Sequence, residues 1–207
     1  MKRLIVAALA LFIAASAPAA PAAAGLAVER ALAATAGTRA NFVHKFTPKG
    51  FTRERIEQGV VLFGSAPRMR WSYEKPEKKT FVFDGKTSWL YAPADRQVTI
   101  ATLTERDRKG LPFVLLSDAA ALRAEYTVVE TKSGSEIRTE LRPRTPASLV
   151  QDLVVVTDAK DNRLKRIEYA DRQGNRTVFQ FSNFRAEVAA EDSFRFDPPA
   201  GVEVIRN

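Results

Sequence analysis

Pro67-Arg68-Met69-Arg70-Trp71-Ser72-Tyr73-Glu74-Lys75-Pro76, followed by Phe81-Val82-Phe83-Asp84-Gly85-Lys86-Thr87-Ser88-Trp89-Leu90-Tyr91, is the stretch on which the fold turns. Large apolar residues stand at Met69, Trp71 and Tyr73, interleaved with Arg68, Arg70 and Ser72. A repeat of two places successive side chains on opposite faces, which is the signature of a half-buried strand. Phe81 and Phe83 continue the rhythm, Asp84-Gly85 supplies a favoured hairpin turn, and Trp89 and Tyr91 return on the next strand.

The same rhythm extends in both directions. Upstream, Phe42, His44 and Phe46 alternate with Asn41, Val43 and Lys45, and Ile56, Gln58, Val60 and Leu62 follow. Downstream, Ala92-Pro93-Ala94-Asp95 turns the chain into a strand at 97–101. Further strands are predicted at 125–131, 135–141, 150–157, 163–170 and 175–182. The turns between them are Lys132-Ser133-Gly134, Asp161-Asn162 and Arg172-Gln173-Gly174-Asn175. Two segments depart from the pattern. Residues 26–36 favour a helix that stops at Gly37, and the apolar, non-alternating run 110–118 leads into 119–122 as a short helical insertion covering something apolar. The expectation is a mainly β domain with a few helices, built as one continuous antiparallel meander.

The N-terminus reads as an export signal. Met1-Lys2-Arg3 is basic, the chain from Leu4 to Ala15 is apolar, and small residues lead to Ala22-Ala23-Ala24 before Gly25. The apolar run is too short for a membrane span. Residues 1–24 are therefore expected to be a cleaved signal peptide, and 25–207 the functional domain, which is expected to be soluble in the periplasm of a Gram-negative-type bacterium. Loss of Lys2 and Arg3 lowers the basic count from 32 to 30 against 24 acids, so the formal charge falls from +8 to +6. With no cysteine, the chain has neither disulfides nor the residue that lipid attachment at an export signal requires. Its cations are dispersed along strands, which reads as a solvated sheet face, and export separates them from nucleic acid. A modest attraction to anionic lipid headgroups is compatible with the charge.

Catalytic chemistry finds little support. His44 is the one histidine, and it shares a strand face with Phe42 and Phe46. Without cysteine there is no thiol nucleophile, and no zinc cluster can be assembled. Asp84-Gly85-Lys86-Thr87 resembles the end of a phosphate-binding loop, but the required first glycine falls on Thr80 and strands flank the turn. Glu191 and Asp192 are adjacent, so on a strand they would diverge. No enzyme activity, metal or cofactor is expected. The excess of large apolar residues on strands instead suggests a concave apolar surface for an apolar ligand.

Four runs, in order, carry a family resemblance: residues 67–76, residues 84–93, Gly110-Leu111-Pro112-Phe113-Val114-Leu115-Leu116, and the terminal 194–204. Together they resemble the periplasmic outer-membrane lipoprotein carrier family, LolA, across almost all of the chain after the signal. The resemblance implies an unclosed β-barrel of about eleven antiparallel strands, made from a single curved sheet and capped by a helical lid, with the open edges that a closed barrel lacks. It implies a chaperone that takes acylated lipoproteins from an inner-membrane ATP-driven transporter and passes them, as a monomer, to an outer-membrane receptor of the LolB kind. By position, Met69, Trp71, Trp89 and Tyr91 would face the acyl-chain cavity, and Phe63, Phe81 and Phe83 join them as candidates. Leu111, Pro112, Phe113, Leu115 and Leu116 would form the lid. A regulatory module that senses lipid or lipoprotein on the same half-barrel is the alternative reading.

One position departs from the family. An arginine commonly precedes the proline of this strand and holds the lid closed; counting from Gly59, that place falls on Ser65, and Pro67 arrives one residue late. Arg68 is the nearest substitute, but an adjacent strand position points to the other face.

Overall fold

The alternating segments become twelve strands of one sheet among the described residues. The computed structural model describes residues 25–65, 67–104, 107, 112, 119–146 and 148–207, with backbone alone for 119–121. From β1 (Thr38–Thr47) the chain steps outward through β2 (Arg55–Phe63), β3 (Met69–Lys75), β4 (Lys79–Phe83), β5 (Thr87–Ala92) and β6 (Gln97–Thr102). It then restarts at the opposite edge with β7 (Tyr126–Ser133) and returns through β8 (Glu136–Pro143), β9 (Val150–Asp158), β10 (Leu164–Asp171) and β11 (Arg176–Ala186). β11 pairs antiparallel with β1, which therefore lies at the middle of the sheet. A short twelfth strand, β12 (Glu203–Arg206), adds in parallel to the outside of β6. The expected unclosed antiparallel half-barrel is thus the observed fold, and β12 is its one parallel addition. The expected signal peptide, 1–24, lies outside the described residues.

Cross-strand ring contacts measure how strongly the sheet curls. Strands lie about 4.8 Å apart, so three spacings in a flat sheet would separate β3 from β11 by about 14 Å. Trp71 of β3 and Phe179 of β11 nevertheless have ring centroids 5.1 Å apart. Phe42 of β1 reaches Trp71 and Tyr73, two strands away, at 4.9 Å each. This convergence identifies the face carrying Phe42, Trp71 and Phe179 as the concave interior.

Gly59 makes the bend. It pairs with Phe42 on one side and Tyr73 on the other, with a register shift between Gln58 and Gly59. A Cβ at this position would lie 2.0 Å from the Ser72 carbonyl oxygen and 2.9 Å from the Tyr73 Cα. Those are backbone atoms that cannot swing away. With no side chain on β2 here, the Phe42 ring passes over it to the aromatics of β3.

Among the described residues, helices α1 (Ala27–Thr35) and α2 (Ala119–Glu125) serve the interior. Helix α1 buries Ala27, Val28 and Ala31 toward the strands β8 to β10. Its first turn is fixed by carboxylates: the Ala27 N–H donates to Glu130 of β7 at 2.7 Å, and the Leu26 N–H donates to Glu29 at 3.1 Å. Acidic oxygens at a helix N-terminus satisfy its orphan donors and complement its dipole. Helix α2 sends Leu122 into the same core and ties to α1 through Arg123 and Glu29 at 2.6 Å.

The outer face has its own cover. After β11 the chain crosses the back of the sheet through a 3-10 turn, Glu191–Phe194. Phe194 seats against Gly64, where a Cβ would meet the ring at 2.7 Å. The Arg70 guanidinium donates to the carbonyls of Ser193 and Arg195, each at 3.3 Å. Phe196 packs on Tyr91 at 5.2 Å, and Val82 and Val98 are fully buried on this side of the sheet.

Gly59→Ala is expected to cost on the order of 3 kcal/mol, the upper part of the overpacking range, because the clash is with backbone. A lowered urea midpoint with an unchanged m-value would register it.

Candidate apolar ligand site

The register decides which aromatics share the interior. Directly paired residues on neighbouring strands point to the same side. Phe63 pairs with Met69 and Met69 with Phe83; Val61 pairs with Trp71 and Trp71 with Phe81. Phe63, Met69, Trp71, Phe81 and Phe83 therefore stand together, joined by Phe42, Phe179 and Phe181 from the middle of the sheet. Phe63 and Phe181 meet at 6.1 Å, and Phe184 continues the line at 6.4 Å from Phe181. Most of these rings meet edge-on or tilted, an arrangement worth roughly 0.5–1.5 kcal/mol per pair beyond burial. Met69 adds an unbranched, polarizable side chain that adapts to irregular neighbours.

Trp89 and Tyr91 do not join them. Phe81 pairs with Leu90 and Phe83 with Ser88, so the odd-numbered residues of β5 face outward. Trp89 stands beside Val82 and Ile100, and Tyr91 lies under Phe196 of the C-terminal segment. The expectation that these two line the cavity is corrected. The cause is the Asp84–Thr87 connection: Asp84 Oδ1 accepts from the N–H groups of Lys86 and Thr87, at 2.8 and 2.7 Å, and sets Ser88 opposite Phe83. Leu90 takes the interior position instead and is 43% exposed there. The interior is therefore packed at β1, β3 and β11 and open toward β5.

Of the expected lid residues, Leu111, Phe113, Leu115 and Leu116 lie outside the described residues. Pro112 is helical and buried. The chain leaves β6 at Thr102 and re-enters the sheet at β7, its far edge, with Tyr126; Leu103, just after β6, packs against the interior core. Arg68 faces outward: it pairs with Glu191 at 2.7 Å, donates to the Ser65 hydroxyl at 2.7 Å, and covers the Phe194 ring. It binds the C-terminal segment, as its strand parity required. Phe42, Tyr73, Phe179 and Phe181 were not among the candidates, although the alternation of Phe42 with His44 and of Phe179 with Phe181 was legible.

A polar cluster closes one end of the aromatic face. His44 stacks on Phe179 at 4.3 Å, its Nδ1 lies 3.1 Å from Glu57 Oε2, and Lys79 Nζ donates to Glu57 Oε1 at 2.5 Å. The same ammonium sits 4.3 Å over the Tyr73 ring. Burial is the main cause that holds His44 below its ordinary pKa of 6.5; Lys79 and Arg55 act in the same direction, and Glu57 opposes them. Burial and the nearby Glu57 push the Tyr73 hydroxyl far up, so it stays neutral. An unfolded chain protonates His44 near pH 6.5, whereas the folded chain does so only at lower pH. The contribution of His44 to stability is therefore complete above about pH 6.5 and declines as pH falls toward the folded value. Urea midpoints of the wild type and His44→Gln, taken at about pH 7.5 and about pH 5.5, should show a smaller acid-side loss in the variant.

The comparisons with known proteins agree with this architecture. The family model described as "Outer membrane lipoprotein carrier protein LolA" matches residues 33–197. A protein named outer-membrane lipoprotein carrier protein from Photobacterium profundum is 35% identical over 148 residues, covering 71% of each chain. One of the same name from Xanthomonas campestris pv. campestris is 29% identical over 172 residues, covering 82% of this chain and 81% of its own. Among solved structures, an uncharacterized conserved protein from Thermus thermophilus superposes with a TM-score of 0.54 at 14% identity, over 87% of this chain and 97% of its own. That likeness speaks for the fold. The sequence matches go further: the chain belongs to the LolA family of outer-membrane lipoprotein carrier proteins.

Proposed function

We propose that this protein is a periplasmic chaperone that shields the acyl chains of lipoproteins on the interior face of its half-barrel and carries them to the outer membrane. The observation that carries the reading is the continuous aromatic interior, which runs from Phe42 and Trp71 to Phe179 and Phe181 and opens at Leu90. Apart from the Trp71 indole N–H, its members offer ring faces and a thioether, as suits a surface that takes chains of varying length. In this reading the cargo comes from an inner-membrane ATP-driven transporter and passes to an outer-membrane receptor.

Energetics favour loose enclosure. Burying one methylene contributes about 0.8 kcal/mol, so a three-chain anchor of ~40 methylenes would exceed 30 kcal/mol if fully sequestered. Non-covalent affinities saturate near roughly −18 to −21 kcal/mol. A carrier that must also release its load therefore holds the chains partially, against side chains that repack.

Native mass spectrometry of the protein recovered from its own periplasm tests the assignment. An acylated protein bound one to one is the expected result, and a bound signalling protein without acyl chains would contradict it. Leu90→Asp should lower cargo affinity at least about tenfold, since it removes a large apolar contact and adds a charge. Leu90 is exposed, so melting should be little changed. Trp71→Ala, by contrast, should cost about 3–5 kcal/mol of stability whether or not cargo is present.

A further inference from the structure

The hairpin joining β1 to β2 carries a feature the cargo site does not use. Phe51 stands at its turn, 69% exposed, whereas the other aromatics among the described residues are buried or half-buried. The display is fixed: the Phe51 N–H donates to the Pro48 carbonyl at 3.1 Å, Gly50 takes a φ of +81°, and the Lys49 N–H donates to Asn175 of the neighbouring turn at 3.0 Å. Ile56, 46% exposed, lies nearby on the outer face. A cleft of about 460 Å³ runs between Pro48, Phe51, Ile56 and Pro76, rimmed by Arg53 and Arg55.

Charge at this end is lopsided. Lys45 pairs with Glu54, and Lys79 pairs with Glu57, so those carboxylates are neutralised. Lys49 and Arg53 are exposed at the apex, and Lys78 is exposed on the adjoining β3–β4 turn; none has a carboxylate partner among the described residues, while the acids left unpaired near that turn are Glu74 and Glu77. Phe51 stands at the hairpin turn, largely in solvent, beside an open cleft whose rim carries Arg53 and Arg55. Ringed by cations, it matches the boundary between phosphate headgroups and acyl chains, where an aromatic inserts and basic residues meet the anions.

We propose that the β1–β2 hairpin is a membrane-docking tip, with Phe51 entering the interface of an anionic bilayer and Lys49, Arg53 and Lys78 engaging lipid phosphates. The tip extends the strands that bear Phe42, His44 and Phe46, so docking brings that end of the interior face to the bilayer. The proposal does not depend on the carrier reading.

The test uses the chain from Gly25 onward without cargo, floated with vesicles of phosphatidylethanolamine and phosphatidylglycerol, and with phosphatidylcholine vesicles for comparison. Binding to the anionic vesicles, weakened by salt and lost on phosphatidylcholine, is expected. Phe51→Ser should weaken it about tenfold or more, and Arg53→Glu about fivefold or more, with melting unchanged in both. In Phe51→Trp the added tryptophan should shift to the blue and be quenched by brominated acyl chains. Absence of flotation, or equal flotation of wild type and Phe51→Ser, would overturn the proposal. So would a Phe51→Ser variant that floats normally but loses affinity for an isolated outer-membrane receptor, because the tip would then dock on protein. None of these failures touches cargo binding, which is read separately by mass spectrometry.

Discussion

At Gly59 the backbone of β3 comes so close that a methyl group has no place, and the aromatic architecture depends on that approach. A flat sheet would hold Trp71 and Phe179 about 14 Å apart, too far for their rings to touch. The bend at Gly59 lets Phe42 lie across β2 and brings rings from β1, β3 and β11 together. The sheet gains a concave apolar side without closing. β7 and β12 remain as edges, and the chain between β6 and β7 must cross from one side of the opening to the other.

The outer face solves a different problem. β4, β5 and β6 turn Val82, Trp89, Tyr91, Val98 and Ile100 away from the interior, and such a surface would be a liability if left bare. The segment after β11 covers it with Phe194 and Phe196, held by Arg68 and Arg70. Two apolar layers therefore share one sheet. The outer layer is sealed by its own chain, and the inner layer is open at Leu90. That asymmetry is what a binding face needs: one side is permanently satisfied, and the other is adaptable.

Much of the fold was legible in the sequence, because period-two alternation and turn residues are local signals. The predicted strands at 125–131, 135–141, 150–157, 163–170 and 175–182 all correspond to observed ones. The helix at 26–36 and its stop at Gly37 also correspond to α1. The faces were less legible. Trp89 and Tyr91 alternate as cleanly as Met69 and Trp71, and nothing local says that the turn at Asp84 sets them on the opposite side. Only the pairing of Phe83 with Ser88 decides it. Phe179 and Phe181 are distant in sequence from Trp71, and their meeting depends on the bend at Gly59. The family resemblance identified the architecture and the interior strand β3, but it also carried Trp89 and Tyr91 to the wrong face.

In the proposed function, acyl chains lie on the interior face and not on the sealed outer one. A lipoprotein bearing a photoactivatable diazirine in its acyl chain, crosslinked in complex and mapped by peptide mass spectrometry, tests this directly. Adducts are expected on Leu90, Trp71, Phe42 and Phe179, and none on Trp89 or Tyr91. Adducts concentrated on Trp89, Tyr91 or Phe196 would contradict it.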